Sequence, residues 1–162
     1  SLGSGVSGSG LGKFETQLLH VRDEKSNGTN GGSAQNTSFT VRDLNTILTN
    51  EITGASLSSN RITLPSGTFY VHASAPAYET NMHRVFLYNH SDSSNILFGG
   101  NATADSGSGS HSEVVGRFTL SASKNIELRH YTTNAGGVDA LGRRVSQGDN
   151  EIFAQVLIWK VA

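Results

Sequence analysis

Six histidines, His20, His72, His83, His90, His111 and His130, are the side chains of this 162-residue chain best suited to proton transfer or metal binding. Zinc takes its ligands from short, defined spacings or from adjacent strands, and neither H-x-H nor H-E-x-x-H occurs. His72 and His130 fall inside strand-like stretches, where they either meet across an interface or, more simply, act as hydrogen-bonded strand histidines. The carboxylates Asp23, Glu24, Asp43, Asp92, Asp105, Asp139, Asp149 and Glu151 lie mostly in turn-rich segments. Calcium would draw mixed side-chain and carbonyl oxygens from such loops, but the EF-hand pattern is missing. Solvated turn residues are the plain alternative, with SQGDNE (146–151) the stretch best placed to hold a cation. No metal and no cofactor is expected.

Nucleophilic chemistry fares no better. A hydrolase needs a nucleophile with its base and orienting acid, or two carboxylates facing one cleft. SGSGS at 106–110 reads as a flexible loop, not a nucleophile elbow. GSGVSG (3–8) matches G-x-G-x-x-G in letters alone, because no strand precedes it and no helix follows. Asn-x-Ser/Thr sequons at Asn27, Asn36, Asn89 and Asn101 are what an Asn/Ser/Thr-rich chain produces by chance. The expectation is a protein without catalysis; a surface-polysaccharide depolymerase is the enzymatic alternative.

The elements that carry these residues are strands. Charged residues make up 15% of the chain, with 19 glycines and two prolines, a balance that favours β-structure. The formal charge of −1 asks for no nucleic acid partner, no apolar run is long enough to insert in a membrane, and without cysteine there are no disulfides. SLGSGVSGSGLG at the start reads as a Gly/Ser linker over 1–13, leaving 14–162 as one domain. Strands are expected from Leu18 to Val21, over 38–44, across Ile62–Leu64, and along Phe69, Val71, Ala73 and Ala75 until Pro76 stops the run. Further strands are expected over 82–90, 96–100, in two pieces over 113–133, and at the C-terminus. The segments 26–37, 102–112 and 134–150 are expected as loops, and 45–59 as extended chain. Eight to ten short strands with regular turn signals indicate an all-β sandwich or barrel.

Alternate side chains of a strand point to opposite faces, yet EIFAQVLIWKV (151–161) is apolar on both. Tyr70 and His72 likewise oppose Phe69 and Val71, and Phe86 and Tyr88 oppose Val85 and Leu87. A two-sheet sandwich buries only the inner face of each sheet. The second faces therefore suggest a subunit interface or a third layer of structure, with scattered exposed apolar residues as the plain alternative; for an interface, Tyr70, His72, Phe153, Leu157 and Trp159 are the candidates.

ITLPSGTFYVHASA (62–75), RVFLYNHSDS (84–93), GRFTLSASKNIELRHY (116–131) and AQVLIWKVA (154–162) resemble the strands of tumour necrosis factor-like and complement globular-head jelly rolls. HVRDEKSNGTNGG (20–32) with the stretch from VRDLNTILTN to SAPAY (41–78) is similar to C-terminal head domains of bacteriophage tail fibres. This resemblance implies an all-β, TNF-like jelly roll of about ten antiparallel strands that forms a homotrimer. It also implies placement in the virion, at a fibre tip, with a bacterial cell-surface receptor, glycan or outer-membrane protein, as partner. The closing strand would lie near the threefold axis. The collagen-like stalk of the complement relatives is absent, since GSGVSGSG lacks a Gly-X-Y period. Tyr78, His83, His111, Asp139, Arg143 and Arg144, at loop positions and strand ends, are the candidate ligand contacts. A trimerisation module without a ligand is the structural alternative.

Overall fold

The computed structural model describes residues 17–162; the expected linker over 1–13 and the GSGVSG stretch lie outside the described residues. Twelve strands follow in order: β1 (Gln17–Lys25), β2 (Ser38–Val41), β3 (Thr46–Asn50), β4 (Ser56–Ser58), β5 (Arg61–Leu64), β6 (Gly67–Tyr78), β7 (Asn81–Asn89), β8 (Ser94–Phe98), β9 (Ala102–Ala104), β10 (Gly109–Leu120), β11 (Lys124–Thr132) and β12 (Glu151–Lys160). They form two antiparallel sheets, one of five strands in the order β10-β6-β12-β1-β3, the other of seven around β4-β5-β11-β7-β8, with β2 beside β11 and β9 beside β7.

The period-2 pattern builds the core. Phe69, Val71, Ala73 and Ala75 of β6 meet Ala154, Val156 and Ile158 of β12 and Leu19 and Val21 of β1 on one inner face. Ile62, Leu64, Val85, Leu87, Ile126 and Leu128 supply the other. All these side chains are buried, and Phe69 stacks on Phe118 of β10 at 5.5 Å between ring centroids. Aromatic pairs of this kind add about 0.5–1.5 kcal/mol beyond the area they bury.

Two expectations need correction. Pro76 does not end its strand; β6 runs on to Tyr78, paired with β10 through His111↔Pro76. A residue's N–H and C=O leave a strand on the same side, and the Pro76 carbonyl accepts Arg42 Nη1 at 3.0 Å. The missing N–H therefore points away from β10, and β12 pairs with β6 only as far as Ser74, so no ladder bond is lost. The expected loop over 102–112 contains β9 and the first residues of β10. Its Ser110 and Ser112 hydroxyls donate to the carbonyls of Thr103 and Gly100, at 2.7 Å each, and hold the segment extended.

The loops over 26–37 and 134–150 are braced against each other. Gly31 N–H donates to Gly142 O and Leu141 N–H to Gly32 O, around a small core of Ala34, Ala140 and Leu141. The carboxylate of Glu151 accepts the N–H groups of Gly28 at 3.0 Å and of Val145 and Ser146 at 2.8 Å. These backbone bonds hold its pKa below the usual carboxylate range.

Candidate functional site

The outer face of the five-stranded sheet gathers Tyr70, His72, Leu157 and Trp159. Register fixes this: Leu157 lies opposite His72 and Trp159 opposite Tyr70 across β12 and β6, with Val115 and Arg117 of β10 next in line. Tyr70 and Trp159 sit 6.0 Å apart between ring centroids. Tyr70 is 41% exposed and Val115 49%. The rim is polar: His20 Nε2 meets Gln155 Oε1 at 3.0 Å, and His72 Nε2 meets Glu113 Oε1 at 3.5 Å. Tyr70 stays exposed, while Leu157 and Trp159 are half-buried within the chain. An apolar centre with aromatic anchors inside a polar rim is the anatomy of a protein contact surface.

Phe153 does not belong to this patch. The pairing of β12 with β6 stops at Gln155, and the β1–β12 register slips between Arg22 and Glu24. The phase of burial shifts there, so that Phe153 is 5% exposed and Ala154 beside it is fully buried. Gly142, at φ 133°, lies on the Phe153 ring so closely that any Cβ would collide with it. The 134–150 loop is thus the cover of Phe153, and the same chain supplies it.

Of the residues expected to touch a ligand, Tyr78, His111, Asp139 and Arg143 come together at one end of the sandwich. Tyr78, His111 and Arg143 line a shallow cleft of about 190 Å³ with Pro76 and Ser110. Arg143 Nη1 donates to the Tyr78 hydroxyl at 3.0 Å, its guanidinium lies 4.6 Å from the Tyr78 ring centre, and its Nε is 3.4 Å from Asp139 Oδ2. Arg144 points elsewhere. Its backbone N–H donates to Asn30 Oδ1 at 3.0 Å and its Nη1 to Gly28 O at 2.8 Å, which makes it a brace between loops.

His83 is corrected from an exposed strand end to an interior position, 3% exposed. It shares the parity of Val85 and Leu87, a signal that the alternation in RVFL already carried. It belongs to a buried line that sequence spacing did not reveal. Arg42, 1% exposed, donates from Nη2 to Leu141 O at 2.7 Å, and its Nη1 lies 3.2 Å from His130 Nδ1. His130 Nε2 is 2.9 Å from His83 Nδ1, and His83 Nε2 is 2.8 Å from Ser110 Oγ. His130 therefore meets His83 and not His72.

The polarity of this line follows from its ends. Arginine only donates, so His130 Nδ1 accepts, His130 Nε2–H donates to His83, and His83 Nε2–H donates to Ser110. The Ser110 hydroxyl in turn gives its proton to Thr103 O. Burial, then the charges of Arg42 and His111, push His83 down to about 4, and burial and Arg42 hold His130 well below the usual imidazole range. Burial also lowers Arg42 to about 10, which leaves it charged at neutral pH. A serine beside a histidine beside a histidine has the outline of a nucleophile with its base. Here the proton sits on the nitrogen that faces the serine, so His83 cannot accept the hydroxyl proton. The line ties Arg42, just beyond β2, to β11, β7 and β10.

Among the described residues no group of three or more His, Cys, Asp or Glu side chains could hold a metal ion.

No protein-family model and no curated protein sequence matches the chain. Solved structures do. Murine APRIL at pH 8.0 aligns with a TM-score of 0.58 at 10% identity, over 90% of this chain and 99% of that one. The same protein at pH 5.0 aligns with a TM-score of 0.59 at 9% identity, over 90% and 99%. The globular domain of zebrafish complement 1qA protein aligns with a TM-score of 0.58 at 12% identity, over 91% and 98%. At such identities the likeness speaks for the fold alone. The chain is an all-β jelly roll of the tumour necrosis factor-like and complement globular-head type.

Proposed function

We propose that this chain is a non-enzymatic recognition head that assembles as a homotrimer through the outer face of its five-stranded sheet. The observation that carries this is the Tyr70–Leu157–Trp159 patch: a central strand whose second face is apolar, in a fold whose sequence resemblance implies a threefold assembly. Three copies around one axis would cover that face. Three weak ligand sites on one rigid body would then gain avidity without new contacts. The resemblance of the N-terminal half to tail-fibre heads favours a place at the tip of a phage fibre, in the virion, with a bacterial surface glycan or outer-membrane protein as partner. Tyr78 and Arg143 at the open end of the sandwich are the ligand contacts this reading favours.

Labelled full-length chain mixed with a panel of bacterial cells tests it. Binding to at least one host, weakened by Arg143→Gln while the oligomeric state stays the same, is the expected result. The bracing of the loops by Glu151 and Arg144 favours a second reading, a trimerisation and folding module without a ligand. An intact trimer that binds no cell in the panel would select the second reading over the first.

A further inference from the structure

One cleft takes in His83 alone of the expected contacts. This cleft, of about 590 Å³, opens on the outer face of the seven-stranded sheet, lined by Met82, Arg84 and Phe86 of β7, Tyr131 of β11, and Asn95, Phe98, Asn101 and Thr103 around the β8–β9 connection. Its size falls in the range of about 300–1,000 Å³ that encloses small molecules. Backbone packing shapes the far wall. Gly99 N–H donates to Val85 O at 2.7 Å, and any Cβ at Gly99 would strike that carbonyl. The connection therefore lies tight against β7 and turns Phe98 outward, 52% exposed, with Met82 opposite at 61%.

The lining has a specific chemistry. Arg84 lies over the Phe98 ring, 4.4 Å from guanidinium carbon to ring centre. Among the described residues it has no acidic partner, and no carboxylate lines the cleft. The side chains of Asn95, Asn101 and Thr103 likewise make no hydrogen bond within the described chain, so amide and hydroxyl groups remain to both donate and accept. His83 also borders the cleft, but its side chain turns inward into the buried line. One unpaired cation, two exposed apolar surfaces and a set of unused amide and hydroxyl groups match a ligand with an apolar face, a rim of hydroxyls and one negative charge.

We infer that this cleft binds an acidic sugar residue, its ring face on Phe98, its hydroxyls on Asn95, Asn101 and Thr103, and its carboxylate on Arg84. The inference rests on the recognition reading above and names the receptor chemistry it would use, a saccharide with uronic-acid-type units. It assigns that chemistry to the sheet face, away from the Tyr78–Arg143 end.

Saturation-transfer NMR on the full chain, with glucuronic acid and glucose as separate probes, tests it. Glucuronic acid is expected to receive saturation most strongly, and glucose more weakly. Arg84→Gln is expected to weaken glucuronic acid about tenfold or more, the worth of a hydrogen bond to a charged group, while leaving glucose nearly unchanged. Phe98→Ala should abolish both. Both altered side chains are outward, and unchanged circular dichroism checks the fold. No transfer to either probe, or transfer to glucuronic acid that Arg84→Gln leaves intact, overturns the inference. A change of oligomeric state in Phe98→Ala with no change in sugar binding would make the cleft a contact between copies and overturn it equally. Cell binding lost in Arg143→Gln but kept in Arg84→Gln would preserve the recognition head and refute this site. Glucuronate binding by a chain that neither trimerises nor binds cells would do the reverse.

Discussion

The two sheets have outer faces that look alike in sequence and differ in three dimensions. Both alternate core residues with aromatics. On the seven-stranded sheet, arginines lie against the rings: Arg129 lies 3.3 Å from the Tyr88 ring centre and 4.2 Å from that of Phe39, and Arg84 4.4 Å from that of Phe98, while Phe39 and Phe98 stay 41% and 52% exposed. Arg129 is itself held by Glu127, Nε to Oε2 at 2.9 Å, while Glu127 also takes Arg61 Nε at 2.9 Å. On the five-stranded sheet, among the described residues, no cation lies over Tyr70 or Trp159. An aromatic on an outer face can thus carry a cation of its own chain or stand without one, and the neighbouring strand decides which.

The strongest way to break this contrast is Trp159→Asp. In the trimer it would bury a carboxylate without a partner, at a cost of about 3–5 kcal/mol per contact. The trimer should fall to monomer in sedimentation velocity, and a variant that stays trimeric and equally stable places the contact on another face. Between the two faces lies the histidine line, and pH reads it. His83 is depressed in the folded chain, so below about pH 6.5 the unfolded chain binds protons that the folded chain refuses. Stability is then fully present above that pH and falls by about 1.4 kcal/mol per pH unit for each such histidine, for His83 down to about pH 4. Urea midpoints at pH 7.5 and 5.0 should show the loss, and His83→Gln should flatten it. A profile that His83→Gln leaves unchanged contradicts the buried line.

Smaller effects sharpen the comparison. Burial pushes Glu127 up, but Arg61 and Arg129 hold it below its ordinary value. Arg129→Gln removes one of those partners and uncovers Tyr88. A loss of about 1–3 kcal/mol in denaturation, with no change in assembly, is expected. The smallest effect belongs to the polar rim. His72→Ala removes a half-exposed contact to Glu113 and should change trimer stability by no more than about 1 kcal/mol.

How much of this was legible follows from where each signal sits. The strands β6, β7, β11 and β12 announce themselves by alternation, and so does the inward position of His83. Proline chemistry misled at Pro76, because the side on which its missing donor falls depends on a partner strand that no local window contains. Phe153 misled for a related reason: its phase in β12 reads outward, and only the close approach of Gly142, 11 residues earlier in the sequence, covers it. Arg42 was unreadable. Its partners Pro76, His130 and Leu141 lie 34, 88 and 99 residues away, and a single charged residue in a β pattern carries no period of its own. The braced loops hid for the same reason, since Glu151 ties Gly28 across 123 residues. Residue type and alternation fix which face a side chain takes; they do not say what stands opposite it.

The central claim, that the open face of the five-stranded sheet is covered by further copies of the chain, is tested most directly by light scattering on the eluting full-length chain at micromolar concentration. The account predicts a particle of about three times the 17.1 kDa chain mass. A single species at the mass of one chain, with Trp159 in contact with solvent, would contradict it.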